Sequence, residues 1–303
     1  LKNWDLQRHT QQLDEHRTEN KLIYTDTVTG LVLSCLMLEY HHFPIVEWTL
    51  SFRNTGLENT PIIADIQSLD TKFTSKSEEE YILNHHTGSP CTPTDYQPHQ
   101  TLLKPKISKE ISTSGGRSSN SDFPYFNLQW REGGVLIAIG WPGQWSVKFD
   151  RDEGPELRVQ AGQELTHFLL HPDEEVRSPL IAMQFWDTDR LRAHNTWRYW
   201  MLTQNLPRPY GQPVAPQTPA CSSHQYEEMI KANEGNQKMF ISGRDCNWII
   251  GGWMLDGTQT SRDGQTLELG KLIQLDFLIN YALLRITVAV RVLKVSFGSR
   301  LSE

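Results

Sequence analysis

The stretch Ile45–Arg53 reads IVEWTLSFR and alternates without a break. Val46, Trp48, Leu50 and Phe52 share one side of an extended chain, and Glu47, Thr49, Ser51 and Arg53 share the other. Successive side chains of a strand point to opposite faces, so the pattern predicts a strand with one buried and one wet face. Asn54-Thr55-Gly56 ends it. On its N-terminal side, Lys21–Thr27 and Leu31–Tyr40 are expected strands flanking Val28-Thr29-Gly30, whose glycine suits a turn with positive φ. On its C-terminal side, Pro61–Leu69 is the next expected strand.

Further strands are expected at Tyr125–Trp130, Gly134–Trp141, Trp145–Asp150, Glu156–Gln160, Glu164–His171 and Leu180–Trp186. Gly- and Pro-rich turns separate most of them, the signature of an antiparallel sandwich. The polar stretches Thr74–Glu80, Pro90–Pro98 and Ser112–Ser121 read as surface loops, where rigid sheets often carry function. After Trp186 the period becomes helical, with Leu191, Trp197, Trp200, Met201 and Gln204 in phase. Asp187 or Thr188 is the expected cap and Pro207 the stop. Leu206–Ala220, with five prolines, reads as a semi-rigid linker, and Ser222–Phe240 as a second helix.

The chain has 303 residues, room for one large β domain or two ordinary ones. Its 38% hydrophobic content and ten Trp exclude a disordered or collagen-like chain. The net charge of −7 argues against a dedicated nucleic-acid partner. The most apolar stretch, Leu272–Phe297, contains Asp276, Arg285, Arg291 and Lys294, which argues against a membrane span, so a soluble protein is expected. The first residue is Leu1 rather than Met, so the natural N-terminus is expected upstream and the compartment is not readable. Cys35, Cys91, Cys221 and Cys246 form no CxxC pair, and neither a zinc site nor a disulfide framework is indicated.

Several loops are more particular than their composition. Gly88–Tyr96 (GSPCTPTDY), Gly115–Trp130 (GGRSSNSDFPYFNLQW), Ile139–Trp145 (IGWPGQW) and Ala161–His167 (AGQELTH) resemble the N-terminal domain of α-galactosidases of glycoside hydrolase family 36. The resemblance continues in order through Pro179–Trp186 (PLIAMQFW), Trp197–Met201 and Cys221–Gln237 (CSSHQYEEMIKANEGNQ). It implies a mainly β, galactose-mutarotase-like supersandwich, then linker helices and a catalytic (β/α)₈ barrel. The implied domains are a sandwich at 1–186, a helix and Pro-rich linker at 187–220, and the barrel entry at 221–241. The implied parent reaction is retaining hydrolysis of terminal α-galactosides by two barrel Asp, with no metal or organic cofactor.

Beyond Ile241 the resemblance stops. The family continues with a first barrel strand like LDYWWMDAGW, whose Asp binds the sugar, whereas Asp245–Gly257 reads DCNWIIGGWMLDG. A one-base shift relates the two. One permitted encoding of Asp245–Gly257, read one base earlier, gives GLQLDYWWMDAGW. Part of this is chosen among degenerate codons, and part is forced: Trp253 and Met254 have unique codons, and the shifted codon spanning them is Asp. In the same frame Thr260–Gln274 can read NEQGWTNTGTWEVDT and Val295–Glu303 can yield LVWFEAER, both family-like. Residues 242–303 are therefore expected to be off-frame, with the barrel truncated. The competing reading is a divergent segment with strands at Leu272–Ile279 and Ile286–Phe297. Retaining glycosidases need two carboxyl groups about 5 Å apart on a rigid frame. The resemblance puts them past this chain, and no catalysis is expected.

Arg117, Asn120 and Asp122 are candidates for facing a carbohydrate or docking on a barrel, against simple loop-internal hydrogen bonding. Trp141 and Trp145 are candidate sugar platforms, against core packing. His41-His42 and His85-His86 are strand neighbours that diverge and do not readily chelate one ion, even with Cys91 and Asp95 near in sequence, so no metal is expected. Cys221-Ser222-Ser223-His224 reads as a helix cap rather than a nucleophile–base pair. The expected partner is an α-galactoside or another carbohydrate, with no nucleic acid and no membrane. A free-standing carbohydrate-binding module and a homo-oligomerisation domain are the alternatives.

Overall fold

The computed structural model describes residues 4–74, 80–131, 133–208 and 211–212. The strands are β1 (Asp5–Gln12), β2 (Arg17–Thr25), β3 (Leu31–Tyr40), β4 (Ile45–Asn54), β5 (Ile63–Ala64), β6 (Leu69–Thr74), β7 (Tyr81–His86) and β8 (Pro98–Leu103). There follow β9 (Ser108–Ser112), β10 (Tyr125–Trp130), β11 (Gly133–Gly140), β12 (Trp145–Arg151), β13 (Glu156–Gln163), β14 (His167–Phe168), β15 (Glu175–Arg177) and β16 (Leu180–Asp187). Helix α1 spans Arg190–Trp200. The expected helix at Ser222–Phe240, the linker beyond residue 212, the strands past Leu272 and the cluster at Cys221 lie outside the described residues.

All strand pairs are antiparallel. One large sheet runs β1-β2-β3-β4-β16-β11-β10-β7-β8, with β15 also on β4, and a four-stranded sheet runs β6-β13-β12-β9. Strand β4 decides the topology as its alternation foretold. Its N-terminal half pairs with β16, Trp48 opposite Ile181, and its C-terminal half with β15, Phe52 opposite Val176. Between them Ser178 stands in for the ladder, its hydroxyl accepting from Leu50 N at 3.1 Å and its N–H donating to Leu50 O at 2.8 Å.

The core lies between the two sheets. Leu33, Trp48, Leu50, Phe52, Leu83, Phe126, Leu128, Val135 and Ile137 from the large sheet join Val147, Phe149, Leu157 and Val159 from the small one. These are alternate residues of their strands, and their burial is the main stabilising term. Gly30, at φ +75°, turns β2 into β3, and a Cβ there would lie 2.5 Å from Gly56 N.

The second face of β4 is not wet throughout. Glu47 is only 3% exposed and accepts a 2.8 Å bond from the Tyr40 hydroxyl. At the centre of the large sheet that face is covered by α1: Gln184 Nε2 donates to Ala193 O at 2.8 Å, and Asn127 Nδ2 to His194 Nε2 at 3.0 Å. The helix cap is Asp189, whose carboxylate accepts from Arg192 N at 2.9 Å, rather than Asp187 or Thr188. Leu191 is 69% exposed and does not join the core.

Two expected strands shrink. Pro61–Leu69 is extended at Ile63–Ala64 until Asp65, at φ 54°, breaks it, and its last residue, Leu69, opens β6 instead. Glu164–His171 contributes only the pair His167–Phe168, which bonds to β5. Conversely β1, β7, β8 and β9 were not expected from the sequence. Within Pro90–Pro98, the loop lasts to Gln97 and Pro98 opens β8. The compact unit of the described residues up to Trp197 is this sandwich with the first part of α1, and a second unit begins at Arg198. Of the second unit, Met201–Asn205 form a π-helical turn closed by Leu206 N to Met201 O at 3.1 Å, just ahead of the predicted stop at Pro207. No helix among the described residues is long and apolar enough to cross a membrane.

Candidate functional site

Two loops meet at one end of the sandwich. Residues 87–97 connect β7 to β8, and residues 113–124 connect β9 to β10. Their backbones bond like a short ladder: Gly88 N to Ser121 O at 2.9 Å, Ser89 N to Ser119 O at 2.6 Å and Phe123 N to His86 O at 3.1 Å. Gly88 is required there, since a Cβ would lie 2.3 Å from Ser119 O. In the first loop Asp95 accepts from the Ser89 hydroxyl at 2.6 Å and from Thr92 N at 2.9 Å. These bonds hold its carboxyl below the usual range.

The second loop is organised around the buried Thr113. Its hydroxyl donates to Arg117 O at 2.6 Å and accepts from Asn120 N at 3.3 Å. A third loop, the turn before β12, is tied to it: Gly116 N donates to Gln144 Oε1 at 3.2 Å, and Trp145 Nε1 to Ser118 O at 2.7 Å. Arg117, Asn120, Asp122 and Trp141 therefore lie on two loops joined by hydrogen bonds, and Trp145 opens β12, so the five candidates do not share one surface.

Arg117 is exposed near the loop tip. Asn120 is half-buried, and its Nδ2 donates to Ser114 Oγ at 3.4 Å. Asp122 is half-buried beside Thr87, with which it forms an isolated bridge. Burial pushes its carboxyl upward, against the Ser121 hydrogen bond and the nearby Lys109 and His99. Trp141 packs on the rim of the core, with the Arg177 guanidinium 5.7 Å from its ring centroid. Trp145 corrects an expectation. It is the first inward residue of β12, 0% exposed and edge-on to Phe126 at 5.7 Å, so its ring has no face left for a sugar.

The sequence reading missed an aromatic row beside these loops. Tyr96, 52% exposed, stands edge-on to Phe123 at 5.5 Å. Phe123 stacks on Tyr125 at 4.8 Å, and Tyr125 meets Trp197 of α1 at 6.0 Å. The signal was present in the spacing of Phe123 and Tyr125, two residues apart and so on one side of an extended chain.

His85 and His86 are neighbours on β7, whereas His41 and His42 lie in the turn after β3 and not on a strand as expected. His41 bonds to the Thr18 hydroxyl at 2.8 Å, while His42 packs on His16 at 4.7 Å. The described residues hold no group of three or more His, Cys, Asp or Glu placed to take a metal ion. Cys35 and Cys91 are free thiols, and burial pushes Cys35 up to about 11.

A ten-stranded sheet packed on a four-stranded one, with a helix across the outer face, defines a β-supersandwich protein. The solved structures sharing this fold include α-galactosidases of glycoside hydrolase family 36. Over 71% of this chain the fold matches AgaA of Geobacillus stearothermophilus, with a TM-score of 0.57 and 16% identity, and covers 33% of that enzyme. AgaB of the same organism matches over 70% of this chain and 30% of its own, with a TM-score of 0.56 and 16% identity. The Lactobacillus brevis α-galactosidase matches over 66% and 28%, with a TM-score of 0.52 and 15% identity. This chain thus spans about a third of the length of these enzymes. AgaA variants have been solved with stachyose and with raffinose. No family model matches the sequence, and no curated protein matches it.

Proposed function

We infer that this chain is the N-terminal, non-catalytic part of an α-galactosidase-like glycoside hydrolase. The observation that carries the reading is a fold shared with AgaA over 71% of this chain, in a sequence whose loops resemble the same family. The parent enzyme hydrolyses terminal α-galactosides with retention, using barrel carboxylates beyond this chain. Residues 187–220 link the sandwich to the barrel, 221–241 enter it, and 242–303 are off-frame. Alone, the chain is inactive.

Arg117, Asn120, Asp122 and Trp141 then face the barrel or a carbohydrate bound beside it. Reading the coding DNA from the codons for Phe240 to beyond Glu303 tests the frame. One extra or missing base that restores LDYWWMDAGW supports the reading, and an intact frame with no such restoration contradicts it.

A second reading, a free-standing carbohydrate-binding module, draws on the exposed Tyr96 at the end of its aromatic row. Saturable binding of galactose or raffinose to the full chain, lost in Tyr96→Ala, would favour it.

A further inference from the structure

The inner faces of the two sheets do not stay apolar to the end of the sandwich. On β7 the inward residues are Tyr81, Leu83 and His85, and their partners on β8 are Leu103, Thr101 and His99. His85 is 7% exposed, its ring 5.2 Å from that of His99 with 30° between planes. Its Nε2 meets the Thr101 hydroxyl at 3.4 Å, and its Nδ1 is buried with no hydrogen-bond partner. His99 Nε2 lies 2.8 Å from the Thr87 hydroxyl. The charges facing the pair are Lys109 of β9, His86 of β7 and the Asp122 carboxyl from the second loop. A buried polar atom without a partner calls for an explanation, and here it sits beside a second imidazole and an ammonium group.

We propose that the His85–His99 ring pair is an acid-operated latch on the β7–β8 hairpin. With His85 neutral the pair packs and β8 stays seated at the edge of the large sheet. A proton on His85 brings a buried cation against His99 and Lys109, with the Asp122 carboxyl nearby to offset it. Loss of β8 also frees residues 87–97, because their ends are fixed by that hairpin. The bonds from Gly88 and Ser89 to the second loop loosen with them, so acid disorders the end of the sandwich that carries Arg117, Asn120 and Asp122.

The electrostatics support the geometry. Burial first, then Lys109, His99 and His86, push His85 down to about 4, and burial, then His99, lowers His86. A folded-state value below the unfolded one means that the open state binds the extra proton. The latch is fully closed above about pH 6.5 and loosens as pH falls toward 4.

Hydrogen exchange of the full chain, followed by mass spectrometry from pH 7 to 4.5 and corrected for intrinsic rates, tests this. The opening constant of peptides covering β7 and β8 should rise about tenfold per pH unit below 6, while that of β3–β4 stays flat. His85→Phe and His85→Gln should abolish the slope, whereas His99→Gln, at an exposed site, and Lys109→Gln, at a half-buried one, should change it only slightly, because burial is the larger cause. A flat wild-type profile overturns the proposal, as does a slope that survives in both His85→Phe and His85→Gln.

Discussion

At the scale of single residues, two tryptophans four positions apart have opposite fates. Trp145 is sealed in the core with its indole N–H satisfied by Ser118 O, whereas Trp141 lies at the rim under Arg177. Trp145→Ala should cost about 3–5 kcal/mol in urea unfolding, and Trp141→Ala about 1. Equal losses would contradict this assignment. Gly88→Ala places a methyl against Ser119 O and should cost about 2 kcal/mol or more, with faster exchange at Ser89 and Ser121. The burial of Trp145 was legible in its own strand, since Trp145, Val147 and Phe149 alternate inward, and the Pro142-Gly143 turn before it drew the reading toward a loop. The Thr113 hub and the Gly88–Ser121 bond were not legible. The first sits in an irregular loop with no periodicity to mark it, and the second joins two different loops, so local pattern carries no signal for either.

At the scale of elements, β3 and β10 begin and end as the sequence indicated, because both alternate between clear turns. Strand β1 was unreadable for a physical reason: every residue of DLQRHTQQ is exposed, so no face selects apolar side chains. Strand β9 is held by β12, and its SKEIS sequence has one inward apolar residue, Ile111, to mark it. The small sheet also depends on a charged clasp. Arg158 of β13 donates to Asp70 of β6 through Nε at 2.6 Å and Nη2 at 2.5 Å, and Asp70 is nearly buried. Asp70→Asn should cost about 2–3 kcal/mol, because it leaves the guanidinium without its counter-charge in a low-dielectric site. Helix α1 depends on its cap, and Asp189→Ala should cost about 1 kcal/mol. Both are measured by urea denaturation, and a change below 0.5 kcal/mol would contradict either account.

At the scale of the whole molecule, a large sheet, a small sheet and an outer helix form a scaffold whose hydrogen-bonded loops gather at one end. Gathered there are a locked Asp95, a half-buried Asp122, an exposed Arg117 and a row of rings. Fold class was legible from alternation and turns. The proposal for what the scaffold serves rests on the family-like loops, because alternation and turns specify only the sandwich. The central claim is that the chain carries the fold of an α-galactosidase part without its catalysis. The direct measurement is hydrolysis of an aryl α-galactoside by the purified full chain, with circular dichroism confirming its β structure. The account predicts release no faster than in buffer. Turnover that saturates with substrate, and is inhibited by galactose, would contradict it.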